Sequence, residues 1–219
     1  MIVAIDGPAG VGKSTVAKQL AFRLGYLYLD TGALYRAVAW ATLRNGYDPA
    51  DADAVAGLLP NLSIQMQFKN ETVTVSVNGK DVSGELRTPA VSAAASVVSA
   101  IPAVRAWLLP VQQQISLQGS VVAEGRDIGT KVFPAAEAKF FLEADPTVRA
   151  ERRHRELVAA GHGAAIEQTS AELAGRDNRD RSRTVAPLVP AEDAHHIDTS
   201  TLSAEEVVNQ MLAVVAAKL

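Results

Sequence analysis

One octapeptide constrains this chain more than any other stretch of it. Gly7-Pro8-Ala9-Gly10-Val11-Gly12-Lys13-Ser14 is a full match to G-x-x-x-x-G-K-[ST], and Thr15 follows it. The apolar run at residues 2–5 reads as a buried strand. Residues 14–24 read as a helix with Gly25 as its stop. Strand, glycine loop and helix in that order make an anion cradle. The glycines let the backbone wrap closely around phosphate oxygens and take positive φ where needed. Backbone N–H groups and the helix N-terminus then face the anion. In such a cradle Lys13 reaches the β and γ phosphates and the Ser14 hydroxyl is a ligand for Mg²⁺. A purine nucleoside triphosphate with Mg²⁺ is the expected occupant of Gly7, Pro8, Ala9, Gly10, Val11, Gly12, Lys13, Ser14 and Thr15.

Composition narrows the chemistry further. At 219 residues the chain suits one domain, and 48% hydrophobic with 21% charged residues excludes disorder along its whole length. There is no cysteine, so a thiol nucleophile, a disulfide framework, a zinc–thiolate site and an iron–sulfur cluster are all excluded. The four histidines show no H-x-x-x-H spacing. Net charge is −3, so no global basic field attracts nucleic acid or an anionic membrane. The N-terminus lacks the basic flank of a signal peptide. The most apolar long stretch, residues 90–111, is interrupted by Ser92, Ser96, Ser99, Pro102 and Arg105. A cytoplasmic protein is expected, with no nucleic-acid or membrane partner. No large apolar seam calls for an oligomer, so a monomer is expected.

Short β-rich runs alternate with longer helical runs, which predicts an α/β fold on a parallel sheet. Strands are expected at 2–5, 26–29, 121–124, 139–142 and 195–198. Helices are expected at 14–24, 33–44, 53–59, 88–100, 103–117, 146–160, 170–181 and from Ser203, with its capping-box Glu206, to Lys218. Residues 63–82 differ. Ile64, Met66 and Phe68 alternate with polar residues, as do Val73, Val75 and Val77, and Asn78-Gly79 signals a type I′ hairpin. That stretch reads as a small antiparallel insertion projecting from the core.

Several constellations are candidates for a second site. Asp30-Thr31-Gly32 leads to Arg36 at a helix start. Ser92, Ser96 and Ser99 fall at i, i+4 and i+7, which suits a polar stripe or plain small-residue packing, and Arg105 lies within reach. Glu124-Gly125-Arg126-Asp127 follows a strand, where open α/β sheets bind ligands. Eight of the fourteen arginines lie between Arg149 and Arg183. That density suits either an anion partner or a solvated helical face. Arg176, Asp180 and Arg183 are spaced to share one helix face. A guanine-reading N-K-x-D is missing, since Asn78-Gly79-Lys80-Asp81 has the wrong order.

Taken together and in this order, GPAGVGKST, LDTGALYR, the Ser96–Arg105 segment, AEGRDIGT, RDNRDRSR and APLVPAEDA make the chain resemble the bacterial cytidylate kinases, of the nucleoside monophosphate kinase group. The resemblance runs over essentially the whole length. It implies a single P-loop kinase domain over residues 1–219. Its central parallel five-stranded sheet would be flanked by helices, with a β insertion at about 63–84 in the monophosphate-binding lobe and an arginine-rich helical lid at about 147–182. It implies ATP as donor, Mg²⁺, and CMP or dCMP as acceptor. Thr31, Arg36, Ser96, Arg105, Arg126, Asp127, Arg176, Asp180 and Arg183 match its monophosphate-binding positions. The resemblance puts Ser96, Arg105 and Asp127 at the base, Arg176 and Asp180 at the ribose, and Arg36, Arg126 and Arg183 near the phosphate. Thr31 stands where relatives carry serine and keeps the hydroxyl. Glu124 stands where some carry aspartate. Lys13 and, among the lid arginines, Arg153 are the residues expected to act on the transferring phosphoryl group. The alternatives are a UMP/CMP kinase or another small-acceptor P-loop kinase, for AMP, shikimate or dephospho-coenzyme A. Two further classes are a P-loop NTPase switch and a nucleic-acid module built on residues 149–183, which the interspersed acids weaken.

Overall fold

In the computed structural model the chain begins with β1 (Ile2–Asp6), α1 (Lys13–Leu24), β2 (Leu27–Asp30), α2 (Thr31–Arg44) and α3 (Ala52–Leu58). It continues with β3 (Ile64–Lys69), β4 (Thr72–Val77), β5 (Lys80–Asp81), α4 (Pro89–Val98) and α5 (Pro102–Ile115). It ends with β6 (Val121–Gly125), β7 (Ala138–Glu143), α6 (Pro146–Ala159), α7 (Ile166–Ser182), β8 (His195–Asp198) and α8 (Ala204–Ala216). The structure describes residues 1–69, 72–163 and 165–218.

Five strands form one sheet in the order β2-β6-β1-β7-β8. β1 pairs in parallel with β6 and β7, and β7 with β8. The expected α/β architecture, with its separate antiparallel sheet, is therefore present. The register sets Ile5 opposite Glu124 and Asp6 opposite Gly125. The carboxyl ends of β1 and β6 thus deliver the glycine loop and Arg126-Asp127 side by side, where ligands bind in open α/β sheets.

The chain divides into two compact units, Met1–Tyr26 with Ser120–Leu219, and Leu27–Gly119. In the first, Val3, Ala4 and Ile5 and then Val121, Val122 and Ala123 are fully buried on both strand faces, the continuous apolar pattern of a covered parallel sheet. Helix α1 turns Val16, Ala17, Leu20 and Ala21 inward, and α8 turns in Val207, Val208, Met211 and Val215. Each large side chain so buried contributes about 1.5–3 kcal/mol. Gly25 ends α1 in the left-handed region (φ 67°). Ser203 and Glu206 close the capping box of α8.

In the second unit α2 packs on α4. Both are rich in alanine (Ala37, Ala39 and Ala41 on one, Ala94 and Ala95 on the other), which lets the helices approach closely. The antiparallel sheet, β3-β4-β5, sends Ile64, Val75 and Val77 into the same core. Asn78 (φ 50°) and Gly79 (φ 80°) are both left-handed and join Val77 to Lys80, the type I′ turn read from the sequence. Among the described residues no single helix is long and apolar enough to cross a membrane. The apolar α4 and the stretch Pro102–Gln118 bend by 101° at their junction, and both bury residues in this core.

Two local features depart from the sequence reading. Helix α7 begins at Ile166 rather than 170 and ends at Ser182, so Arg183 lies past its end in an extended conformation (φ −63°, ψ 139°). Arg176, Asp180 and Arg183 therefore do not share a helical face; Arg183 reaches back by its side chain instead. The other is a single π-helical turn over Ile128–Val132, closed by Phe133 N–H donating to the Ile128 carbonyl at 2.7 Å. Such turns concentrate at functional sites.

Candidate active site

The glycine loop is held from outside, carbonyl by carbonyl. To aim backbone N–H groups inward, a tight loop must turn its carbonyls outward, and buried carbonyls need donors. Lys13 Nζ donates to Pro8 O at 2.6 Å, Arg149 Nη1 to Ala9 O at 3.1 Å, and Thr199 Oγ1 to Val11 O at 3.0 Å. Arg152 in turn holds Thr199, through its carbonyl at 2.6 Å and its hydroxyl at 3.0 Å. The first glycine has no alternative: a Cβ on Gly7 (φ 149°) would stand 2.3 Å from the Leu142 carbonyl oxygen. Gly12 (φ 95°) is the N-cap of α1 and supplies no capping side chain, so a helix N-terminus with its positive dipole end opens onto the loop. Burial pushes the Lys13 ammonium well below the usual lysine range, and Arg126 and Arg176 add to this. Three cations crowded here are a site for a polyanion. Beside the loop lies a cleft of about 550 Å³, lined by Gly12, Thr15, Arg152, Arg155, Thr199 and Leu202 among others.

The residues after β6 build a second cluster in the same unit. Arg126 Nε donates to Asp180 Oδ2 at 2.8 Å. Arg183 Nη2 donates to Asp127 Oδ1 at 3.3 Å, its Nη1 lies 3.6 Å from Asp180 Oδ1, and its Nε donates to the Ala186 carbonyl at 2.5 Å. Burial works to raise the Asp180 pKa, but Arg126, Arg176 and Arg183 together hold it below the usual carboxylate range. Asp6, at the end of β1, accepts the backbone N–H groups of Ile128 and Gly129, each at 2.8 Å. It thereby fastens the π-turn that directly follows Arg126 and Asp127 to the strand that carries the glycine loop. Burial raises its pKa to about 6, against those two hydrogen bonds. Lys13, Arg126, Asp127, Arg176, Asp180 and Arg183 are thus brought together within this unit.

The second unit holds its own pair of clusters. Asp30 caps α2 by accepting from Ala33 N–H at 3.0 Å, and its other oxygen accepts from Arg36 at 2.6 Å and Arg87 at 3.3 Å. Burial opposes ionisation of Asp30, but Arg36, Arg87 and the Ala33 amide hold its carboxyl below the usual range. A Cβ at Gly32 would press on the side-chain ends of both Asp30 (3.1 Å) and Arg36 (3.3 Å), which would have to shift by a few tenths of an ångström. Thr31 is buried beside them. Among the described residues Arg36 Nε is buried without a partner. In the other cluster Arg105 is buried, donates to the Ser99 carbonyl at 3.1 Å and lies 5.4 Å from the Tyr35 ring centroid. Ser99 donates to the Ser96 carbonyl at 3.1 Å, and Ser96 is buried.

A sequence model of the family described as Cytidylate kinase matches residues 3–217. The chain belongs to the cytidylate kinase family. A cytidylate kinase of Geobacter sulfurreducens is 47% identical over 215 residues, spanning 98% of this chain and 92% of that one. A bifunctional pantoate ligase/cytidylate kinase of Synechococcus elongatus is 47% identical over 216 residues, 96% of this chain. The chain spans 41% of the length of that curated relative. A solved structure of an uncharacterized protein from Eubacterium ventriosum shares the fold, with a TM-score of 0.55 at 12% identity, covering 99% of this chain and 98% of that one.

This cytidylate kinase family member uses its α6 arginines unequally. Arg149 and Arg152 support the glycine loop, whereas among the described residues Arg153 bonds only the side chain of Glu156 on its own helix, at 3.1 Å, with a third of its side chain exposed. Four residues escaped the sequence reading. Asp6, Arg87, Asp177 and Thr199 act through partners 57 to 188 positions away. Only Asp6, an acid at the end of an apolar strand, carried a local signal.

Proposed function

We propose that the chain transfers the γ-phosphoryl group of ATP to CMP, and to dCMP, giving ADP and CDP or dCDP. The observation that carries this reading is the side-by-side emergence of the glycine loop and Arg126-Asp127 from paired strands, in a chain of the cytidylate kinase family. A non-bridging oxygen of the CMP phosphate attacks the γ-phosphorus in line. The bond to the β–γ bridging oxygen breaks, and ADP leaves with that electron pair. No general base is needed, because a phosphate monoester with a second pKa of about 6 is largely dianionic at pH 7. What remains is positioning and charge neutralisation. Lys13 serves the β and γ phosphates. The family resemblance gives Arg36, Arg126 and Arg183 to the acceptor phosphate.

By the family resemblance Arg176 and Asp180 hold the ribose, Asp127, Ser96 and Arg105 read the base, and Thr31 is a further monophosphate-binding position. Asp127 accepts from the cytosine amino group and opposes the uracil carbonyl with its own lone pairs. The cleft beside Gly12 and Thr15 suits the donor base, with Arg152 and Arg155 on its wall. Mg²⁺ keeps several waters and takes few protein ligands, so the single Ser14 hydroxyl with triphosphate oxygens is a fitting donor set. When bound it neutralises phosphate charge. The lid, residues 147–182, places Arg153 over the transferring group and excludes water. The β insertion, residues 63–84, belongs to the monophosphate-binding lobe. Arg149, Arg152 and Arg153 are engaged in ion pairs and carbonyl contacts, and acids are interspersed among the other lid arginines, so a cytoplasmic monomer without nucleic-acid or membrane partners matches this reading.

An ADP-release assay over CMP, dCMP, UMP, AMP and shikimate tests it. Turnover greatest on CMP and dCMP, with negligible hydrolysis lacking an acceptor, is the expected result. Preference for another acceptor overturns the substrate, and acceptor-independent hydrolysis overturns the kinase in favour of a switch.

A further inference from the structure

Both backbone groups of Ala9, in the middle of the glycine loop, are taken by one buried ion pair. Its N–H donates to Asp177 Oδ1 at 3.3 Å, and its carbonyl accepts from Arg149 Nη1 at 3.1 Å. Arg149 and Asp177 also bond each other directly, and both are buried. Arg149 Nε is fixed to the Ala144 carbonyl at 3.2 Å. Two further contacts seat the loop on the same helices. A Cβ on Gly10 would meet the Arg149 carbonyl oxygen at 2.9 Å, and the Ala9 side chain forms an apolar cluster with Ala150 and Leu173.

We infer that the Arg149–Asp177 pair is a positioning element for ATP, setting the glycine loop from outside while touching no phosphate itself. An arginine in a lid helix beside a phosphate cradle invites assignment as an anion contact. Here its guanidinium is committed to two carbonyls and a carboxylate. Because Ala9 donates outward to Asp177, its amide is withheld from the anion, and the peptide plane between Pro8 and Ala9 is fixed. That orientation determines which way the following N–H groups point. Asp177 also sits next to Arg176 on α7, so one pair links the loop to the helix carrying the acceptor-side Arg176 and Asp180. Misplacing such a loop by an ångström can cost about 100-fold in rate, even from a residue that makes no contact with substrate.

The inference rests on the loop being the ATP cradle, and direct binding separates the two. Calorimetric Kd values for ATP with Mg²⁺ and for CMP would be measured on the wild type, Arg149→Ala, Asp177→Ala, the double variant, and the milder Arg149→Lys and Asp177→Asn. A wild type that binds no ATP refutes the cradle itself. Given ATP binding, each alanine variant is expected to weaken ATP about tenfold or more while CMP changes less than threefold. The double variant should be no weaker than the worse single one, because the pair acts as a unit. Arg149→Lys and Asp177→Asn should fall between, and they carry the test should an alanine variant not fold. Unchanged ATP affinity with a lowered melting temperature overturns the inference, leaving a packing role only. So does equal weakening of CMP, which would implicate the register of α7. Additive losses in the double variant overturn it too, since they would place Arg149 on the nucleotide.

Discussion

The glycine loop and the arginine–aspartate cluster after β6, proposed as donor cradle and acceptor cluster, are built by opposite means. The cradle is made of backbone. Its carbonyls are tied by Lys13, Arg149 and Thr199, and the groups that would meet phosphate are amides, a helix end and the Lys13 ammonium. The acceptor cluster is made of side chains, with Arg126 on Asp180 and Arg183 on both Asp127 and Asp180. A backbone site has fixed partial charges and nothing to rearrange. A site of paired charges keeps each arginine placed by a carboxylate, and under the proposed function those carboxylates also read the ligand. The difference predicts that damage to the cradle is felt in the chemical step, and damage to the cluster in which acceptor is taken.

The largest expected effect tests the first half. Lys13 supports the loop, through Pro8 O, and brings its own charge to it. Lys13→Ala should lower kcat by about 10³-fold, the scale of losing one preorganised charge-stabilising donor, with KM for CMP within threefold. Steady-state kinetics with both substrates varied checks this. An equal rise in KM for CMP would break the comparison, by making Lys13 part of the acceptor site.

A smaller effect tests the second half. Asp127→Ala should cut the ratio of kcat/KM for CMP over UMP by about 10- to 100-fold, since buried polar groups discriminate when their partner is missing. Its absolute kcat on UMP should change much less. Equal losses on both pyrimidines would reduce Asp127 to a holder of Arg183, its partner at 3.3 Å.

The same contrast explains what could be read from the chain. Backbone sites are legible because glycine and proline report backbone geometry locally. The loop from Gly7 to Ser14, the Gly25 stop, the Asn78-Gly79 turn and the Ser203–Glu206 box all stand in the structure as their residue types dictate. Four of the five core strands were legible as apolar runs between helices, whereas His195–Asp198 buries only Ile197. Side-chain sites are different, since Arg126 meets Asp180 across 54 positions and Ala9 meets Asp177 across 168, and no spacing rule spans such distances. Periodicity misled at Arg183, because i, i+7 spacing assumed a helix that ends one residue too soon. Roles in the acceptor cluster came from the resemblance to a family, not from the pattern itself.

Asp6 stands between the two halves and permits the finest test. It closes β1 just before the loop, yet it spends both oxygens on the amides of Ile128 and Gly129 in the acceptor turn. Its pKa of about 6 lies above the 3.8 of the unfolded carboxyl. As pH rises from about 4 to 6, the unfolded chain therefore loses this proton first, and ionising Asp6 costs the folded state stability until the cost is complete above about 6. Asp6→Asn cannot titrate. The stability of the wild type relative to this variant should fall by roughly 2 kcal/mol between pH 4.5 and 7.5, since a tenfold difference in proton affinity is worth about 1.36 kcal/mol. Urea unfolding of both proteins at the two values measures it. Asp30 and Asp180, whose carboxyls are held low, move stability in the opposite sense but equally in both proteins, so they cancel. A difference that stays flat with pH would mean that Asp6 is not desolvated, and the joint between cradle and cluster would then be a wet one, free to open as the acceptor turn moves.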